Sequence, residues 1–331
     1  MNVKHGFALF GAGRIGQIHA RNLAAHADAR LLHVVDVSAD AAGQLAATCG
    51  ARVSDTAAAL ADPAVHAILV ASSTDTHAAL IRAGAQAGKA IFCEKPLDLD
   101  IAGAQASLAV VAQAGVLLAL GFNRRFDPAF RRLYREIAAG RAGKVEVISI
   151  TSRDPTPPPP AYVARSGGLF RDMMIHDLDM ARWLLAEEPA TVFARGSALI
   201  DPAIGDAGDV DTAVVVLETA SGRLCQITNS RRCAYGYDQR IEVFGAKGLL
   251  RADNVPATTV ESAGAEGFTR EPALPFFLER YAAAYRNELD EFLKALRGAP
   301  AQLASGEDGR RALLLANAAQ ESLDSGVPIR L

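Results

Sequence analysis

Between Phe7 and about Gly121 the chain alternates short, β-rich apolar runs with longer alanine-rich stretches of helical spacing. The predicted strands are Phe7 to Phe10, Leu31 to Val35, Ala67 to Ala71, Ala90 to Cys93 and Val116 to Leu120. Strands that alternate with helices in this order specify a parallel sheet covered by helices on both faces, because parallel neighbours must be joined by a crossover. Residues 1–122 are therefore expected to form an α/β doubly wound domain of Rossmann type.

After Asn123 the rhythm changes. A helix from about Pro128 to Ala139 leads into a strand at Lys144 to Arg153, the proline run Pro157 to Pro160 interrupts regular structure, and a long helix is predicted from Leu169 to Ala186. Strand patterning then marks Thr191 to Ala198, Thr212 to Thr219, Arg223 to Asn229, Gln239 to Phe244 and Leu249 to Ala252. Two closing helices are expected, Pro275 to Arg297 and Gly306 to Ser325, able to fold back on the first domain. Residues 123–331 thus read as an α+β domain built on a large open, mainly antiparallel sheet, whose flat exposed face suggests oligomer contacts.

Composition narrows the function. A chain of 331 residues that is 50% hydrophobic is long enough for two cores. Its 34 basic and 37 acidic residues give a net charge of −3 with no block of like charges, which argues against nucleic acid or an anionic membrane as partner and for a small molecule. No run of 18 apolar residues occurs, and Met1 to Phe10 lack the features of an export signal. The four cysteines are far apart and form no CxxC, so a reducing cytoplasm is expected and no metal site is signalled.

The first chemical motif follows the first strand. Gly11-Ala12-Gly13-Arg14-Ile15-Gly16 is a G-x-G-x-x-G turn opening a helix: Gly11 permits the tight turn, Gly13 lets a pyrophosphate approach the backbone, and Gly16 lets helix and strand pack closely. The helix N-terminus offers N–H groups and partial positive charge to the phosphates. Asp36 ends the second strand 20 residues after Gly16, where a carboxylate accepts ribose hydroxyls and repels a 2′-phosphate. NAD is expected over NADP.

A second constellation is spread over two segments. Lys95, in Cys93-Glu94-Lys95-Pro96, lies just past a parallel strand, where α/β sheets bind ligands, and is one of only six lysines. On the long predicted helix Asp172, His176 and Asp179 share a stripe opposite Phe170, Met173, Met174, Ala181, Leu184 and Leu185. That stripe is compatible with a solvated face, with a histidine base paired to a carboxylate, or with a metal trio, although the last lacks further spaced ligands. Asp177 projects among the apolar residues and calls for a buried polar partner.

The run Gly11 to Gly16, Glu94-Lys95-Pro96, Gly121-Phe122-Asn123-Arg124-Arg125-Phe126-Asp127, the segment Gly167 to Asp179, and Tyr235-Gly236-Tyr237-Asp238-Gln239-Arg240 resemble the Gfo/Idh/MocA oxidoreductases and, within them, the bacterial inositol 2-dehydrogenases. The resemblance implies a catalytic group of Lys95, Asp172 and His176. It implies a substrate site drawing on Arg125, Asp154, Tyr235 and Tyr281 or Tyr285, together with Asp172 and His176. Ser73, Thr74, His77, Glu94 and Lys95 join Gly11 to Gly16 and Asp36 in the expected cofactor site. The implied reaction passes the proton of an axial ring hydroxyl to His176 and the hydrogen on the same carbon, as hydride, to NAD, giving a ketone, with myo-inositol as substrate and other inositols or a pyranose as alternatives. A glycosidase using NAD transiently and a silent NAD-binding sensor are the competing classes. A homotetramer is also implied, and the Pro157 to Pro160 run stiffens the loop before Gly167.

Overall fold

A computed structural model describes residues 4–331, apart from the side chains of residues 160, 164 and 165; residues 1–3, where the expected first domain begins, lie outside the described residues. The chain divides into two compact units: residues up to Phe126 together with Ala284–Leu313, and Asp127–Ala283 together with Leu314–Leu331.

The first unit alternates strand and helix. Its strands are β1 (His5–Phe10), β2 (Ala29–Val35), β3 (Arg52–Val53), β4 (Val65–Val70), β5 (Ala90–Glu94) and β6 (Leu118–Gly121). Its crossover helices are α1 (Arg14–Ala25), α2 (Ala39–Cys49), α3 (Thr56–Ala61), α4 (His77–Gln86) and α5 (Ile101–Ala114). The sheet is wholly parallel in the order β3-β2-β1-β4-β5-β6, so the chain reverses direction across the sheet between β1 and β4. Ligands of such sheets bind at that switch point, beyond the carboxyl ends of the strands.

Local chemistry sets the helix ends. Ser38, Asp55 and Asp100 cap α2, α3 and α5 by accepting backbone N–H bonds, and Gly50 and Gly115 close α2 and α5 in the left-handed region. Phe7, Leu9, Leu31, Leu69 and Phe92 form the core, each side chain of this size contributing roughly 1.5–3 kcal/mol on burial. Leu289, Phe292 and Leu293 complete it, with the Phe292 ring 5.5 Å from that of Phe92.

The second unit opens with α6 (Pro128–Ala138), where Asp127 accepts the N–H groups of Ala129 and Phe130 at 3.1 Å and Pro128 occupies the first turn. There follow β7 (Val145–Arg153), α7 (Pro160–Ser166), α8 (Gly168–Asp172), α9 (Ile175–Leu185), β8 (Pro189–Ser197) and α10 (Pro202–Asp206). Next come β9 (Thr212–Thr219), β10 (Leu224–Ser230), β11 (Asp238–Gly245), β12 (Gly248–Ala252) and the hairpin β13 (Glu261–Gly264) with β14 (Gly267–Arg270). The chain ends with α11 (Phe277–Arg280), α12 (Ala282–Leu296), α13 (Gly306–Ser325) and β15 (Ile329–Arg330). The sheet order is β12-β11-β7-β10-β9-β8-β15, antiparallel except for the β7/β10 pair.

Three expectations are corrected. The long helix Leu169 to Ala186 is two helices, because Met173 N and Met174 N both donate to Leu169 O, at 3.0 and 2.9 Å, and the wider turn ends one ladder before the next begins. The helix predicted from Pro275 to Arg297 is likewise broken at Tyr281. The proline run ends by starting a helix, α7, in whose first turn a missing N–H costs nothing.

Candidate active site

In the first unit the turn after β1 has the geometry its glycines imply. Gly11 has φ +101°, and a Cβ there would lie 2.5 Å from Ala71 O, in the turn after β4. Gly16 approaches Gly11 so closely that a Cβ would stand 1.9 Å from Gly11 O. At Gly13 nothing lies within 4 Å of that position, and no side chain caps α1 there. Ala12 donates its N–H to Asp36 Oδ2 at 2.6 Å, and Ser38 N donates to Asp36 Oδ1 at 2.8 Å. Each carboxylate oxygen retains a further lone pair for a ribose hydroxyl. Arg14 is exposed and Ile15 half-buried as α1 begins. An open backbone cradle at Gly13, an uncapped helix start and a strand-end acid together fit a dinucleotide.

The other predicted cofactor residues lie at neighbouring strand ends. Ser73 and Thr74 follow β4 in a single 3₁₀ turn, Ser73 exposed. His77 is buried, with Nδ1 2.8 Å from Pro96 O and Nε2 3.2 Å from Ser72 O. Burial lowers its pKa, against the opposing effect of both carbonyls. Glu94 is turned inward: its Oε1 meets His19 Nε2 at 2.7 Å, and His19 lies edge-on to Phe92 and Tyr285. Lys95 follows immediately, half-buried, at the end of β5. Arg125, expected in the substrate site, is paired with Asp308 Oδ1 at 3.0 Å.

In the second unit the sheet register gathers site residues at one end. Arg153, the last residue of β7, pairs with Ser230 at the end of parallel β10 and with Asp238 at the start of antiparallel β11. Asp154, Arg231 and Tyr235 therefore emerge at the same end of the sheet. Tyr235, 45% exposed, donates its hydroxyl to Asp238 Oδ2 at 2.6 Å and receives Arg153. Burial and the Asp238 carboxylate raise the pKa of that phenol. Asp238 is fully buried and ionised, since Arg240, Tyr235 and Asn254 outweigh the cost of burial and lower its pKa.

Asp172 closes α8 and His176 lies in the first turn of α9, both half-buried. Asp172 Oδ1 accepts the Tyr162 hydroxyl at 3.0 Å, and Oδ2 faces both terminal nitrogens of Arg231 at 3.5 Å. Asp177, which lacked a partner in the sequence, accepts Ser152 Oγ at 2.6 Å and Asn229 Nδ2 at 3.0 Å, joining α9 to β7 and β10. Tyr281 is buried at 2% exposure with its hydroxyl on Gln239 Oε1 at 3.1 Å, and Tyr285 packs in the first unit against His19. Asp179, projected onto a polar stripe, is 1% exposed. Among the described residues no group of three or more His, Cys, Asp or Glu side chains is arranged to hold a metal.

Sequence reasoning missed Arg231 and Tyr162. Arg231 follows β10 in the pair Arg231-Arg232, a weak signal that gains meaning only from the parallel alignment of β7 and β10.

Residues 5–122 match the family model described as oxidoreductase family, NAD-binding Rossmann fold, and residues 130–251 match the GFO/IDH/MocA C-terminal domain. Inositol 2-dehydrogenase of Rhizobium meliloti (strain 1021) is 51% identical over 319 residues, 96% of each chain. The chain belongs to the GFO/IDH/MocA oxidoreductase family. Myo-inositol 2-dehydrogenase of Thermotoga maritima is 49% identical, covering 98% of this chain and 97% of its own. Among solved structures, scyllo-inositol dehydrogenase from Lactobacillus casei with bound NAD(H) and scyllo-inositol is 29% identical with a TM-score of 0.92, covering 99% of both chains. As a member of this family the protein is an oxidoreductase with NAD as cofactor.

Proposed function

We propose that the protein is an inositol 2-dehydrogenase, oxidising an axial hydroxyl of myo-inositol to the inosose with NAD. The observation that carries this reading is the 51% identity, over 96% of the chain, to an enzyme of that name. The cradle at Gly11, Ala12, Gly13, Arg14, Ile15 and Gly16 would hold NAD, with Asp36 on the ribose and Ser73, Thr74, His77, Glu94 and Lys95 around it. When bound, NAD supplies the two-electron acceptor.

The chain's own residues handle the proton and the charge. His176 takes the proton of the reacting hydroxyl on a ring nitrogen, Asp172 orients that ring and stabilises its charged form, and Lys95 donates to the oxygen as negative charge builds on it. Arg125, Asp154, Tyr235 and Tyr281 match the remaining hydroxyls. The scyllo-inositol dehydrogenase structure favours scyllo-inositol as the second substrate to test.

The test is NADH absorbance with NAD, and separately NADP, on myo-, scyllo- and chiro-inositol, glucose and xylose. Fastest turnover with myo-inositol and NAD supports the proposal. Silence on every polyol while NAD binds would overturn it in favour of a sensor, and a preferred pyranose would move the substrate class.

Assembly into a homotetramer accompanies this reading. Val216, Leu224, Phe244 and Leu249 are 38–50% exposed, and the strand registers set them on one face of the second sheet. Open apolar faces of this kind mark interaction surfaces. Light scattering that returned a monomer would contradict the assembly. The four cysteines are free thiols, which fits the reducing cytoplasm of this reading, and oxidation of the ring hydroxyl fits a role in inositol breakdown; no helix among the described residues is long and apolar enough to cross a membrane.

A further inference from the structure

We propose that Arg231 is a positioning residue for the reaction: its buried guanidinium sets the orientation of the Asp172 carboxylate. The proposal rests on the reading of Asp172 as part of the catalytic group. Arg231 is 1% exposed and, among the described residues, heads the fully buried side chains by volume. A guanidinium withdrawn from water costs several kcal/mol unless carboxylates compensate it. Here they lie at the two ends of one short helix.

Asp172, the last residue of α8, turns Oδ2 toward both terminal nitrogens of Arg231 at 3.5 Å. Asp209 lies 4.0 Å from the same guanidinium and accepts Leu169 N, near the start of α8, at 3.0 Å through each oxygen. Arg231 therefore spans the helix that delivers Asp172. Its own position comes from the sheet, since it follows β10 directly and its N–H donates to Asp211 O at 2.8 Å. Asp211 is in turn anchored by the N–H groups of Leu199, Ile200 and Asp201, which outweigh burial and lower its pKa.

The contact lengths suit a guide better than a clamp. Tight charge-assisted bonds run about 2.7–2.9 Å, and at 3.5 Å Arg231 restrains Asp172 while leaving carboxylate lone pairs for other donors. Tyr162 restrains the other oxygen from α7, and a tyrosine hydroxyl brings no compensating charge. Arg231 supplies both direction and charge.

A four-enzyme cycle tests the inference: wild type, Arg231→Gln, Asp172→Asn and the double variant, with Arg231→Lys as a fifth protein. Each is assayed for kcat and KM with myo-inositol, for NAD affinity and for melting temperature. Arg231→Gln should lower kcat about 10- to 100-fold, the range for a group that orients a functional side chain, with NAD affinity unchanged. In the Asp172→Asn background the same change should cost less than about threefold, because its route of action is already cut. Arg231→Lys, which keeps the charge and loses the fork, should recover part of kcat and carries the same cycle if the glutamine variant does not fold.

Equal losses in both backgrounds would show a merely structural arginine and overturn the proposal, as would an unchanged kcat in Arg231→Gln. A separate result, wild-type kcat in Asp172→Asn alone, would overturn the reading of Asp172 and this inference with it.

Discussion

Alanine at Gly16 and alanine at Gly13 should have opposite consequences although the two glycines share one turn. A Cβ on Gly16 would stand 1.9 Å from Gly11 O, and real Cβ contacts do not fall below 3.0 Å, so α1 must withdraw by roughly 1.1 Å, the difference of those two distances. The obstacle is backbone, and no rotamer relieves it. Overpacking of this kind costs about 1–3 kcal/mol, and at roughly 2–4 °C per kcal/mol for a domain of this size Gly16→Ala should melt about 2–12 °C lower. Gly13 has φ −68° and nothing within 4 Å, so Gly13→Ala should melt within about 2 °C of wild type. Its methyl group instead occupies the approach of the pyrophosphate, and a clash of about 1–3 kcal/mol weakens NAD binding about 5- to 150-fold. Thermal melts without cofactor, which would itself stabilise the fold, and calorimetric NAD titrations measure the two effects. Wild-type NAD affinity in Gly13→Ala would refute the cradle, and a wild-type melt in Gly16→Ala would refute the packing argument.

Asp36→Ala removes a charged acceptor from the strand end and should weaken NAD about tenfold or more while narrowing the preference over NADP; equal losses for both cofactors would contradict the role given to Asp36. Asp308 is held at about 2, since burial, which would raise it, is outweighed by Arg125 and by hydrogen bonds from Ser305. Its pKa is depressed on folding, so the unfolded chain binds the proton more readily, and the stability involved is present above the ordinary 3.8 and lost as pH falls toward 2. Asp308→Asn should flatten that acid loss in urea unfolding curves, and parallel curves for the two proteins would refute it.

The parts of this protein legible in its sequence are those where the backbone itself carries the information. Gly11, Gly13 and Gly16 announce a turn, a cradle and a close contact through spacing alone, and the strands of the first unit other than the short, exposed β3 are buried enough to read as apolar runs. The second unit is less legible, because its meaning lies in pairings between distant segments. Asp177 projects among apolar residues of its helix, and its partners Ser152 and Asn229 come from the distant strands β7 and β10. Asp179 was projected with Asp172 on one stripe, but the shared acceptor at Leu169 O breaks the helix between them and resets the register. Strands β13 and β14 carry no sequence signal, because all their residues are exposed and lack apolar alternation. Arg231 required the parallel alignment of β7 with β10, which no local pattern encodes.

In the proposed reaction His176 accepts the proton of the reacting hydroxyl of myo-inositol. The most direct measurement is the kcat for NADH formation from myo-inositol by wild type and His176→Ala, with NAD affinity determined on both. A loss of about 10² to 10⁴ in kcat with NAD affinity kept within twofold or so is the result expected when a general base is removed from an intact cofactor site. Wild-type turnover by the alanine variant would contradict it.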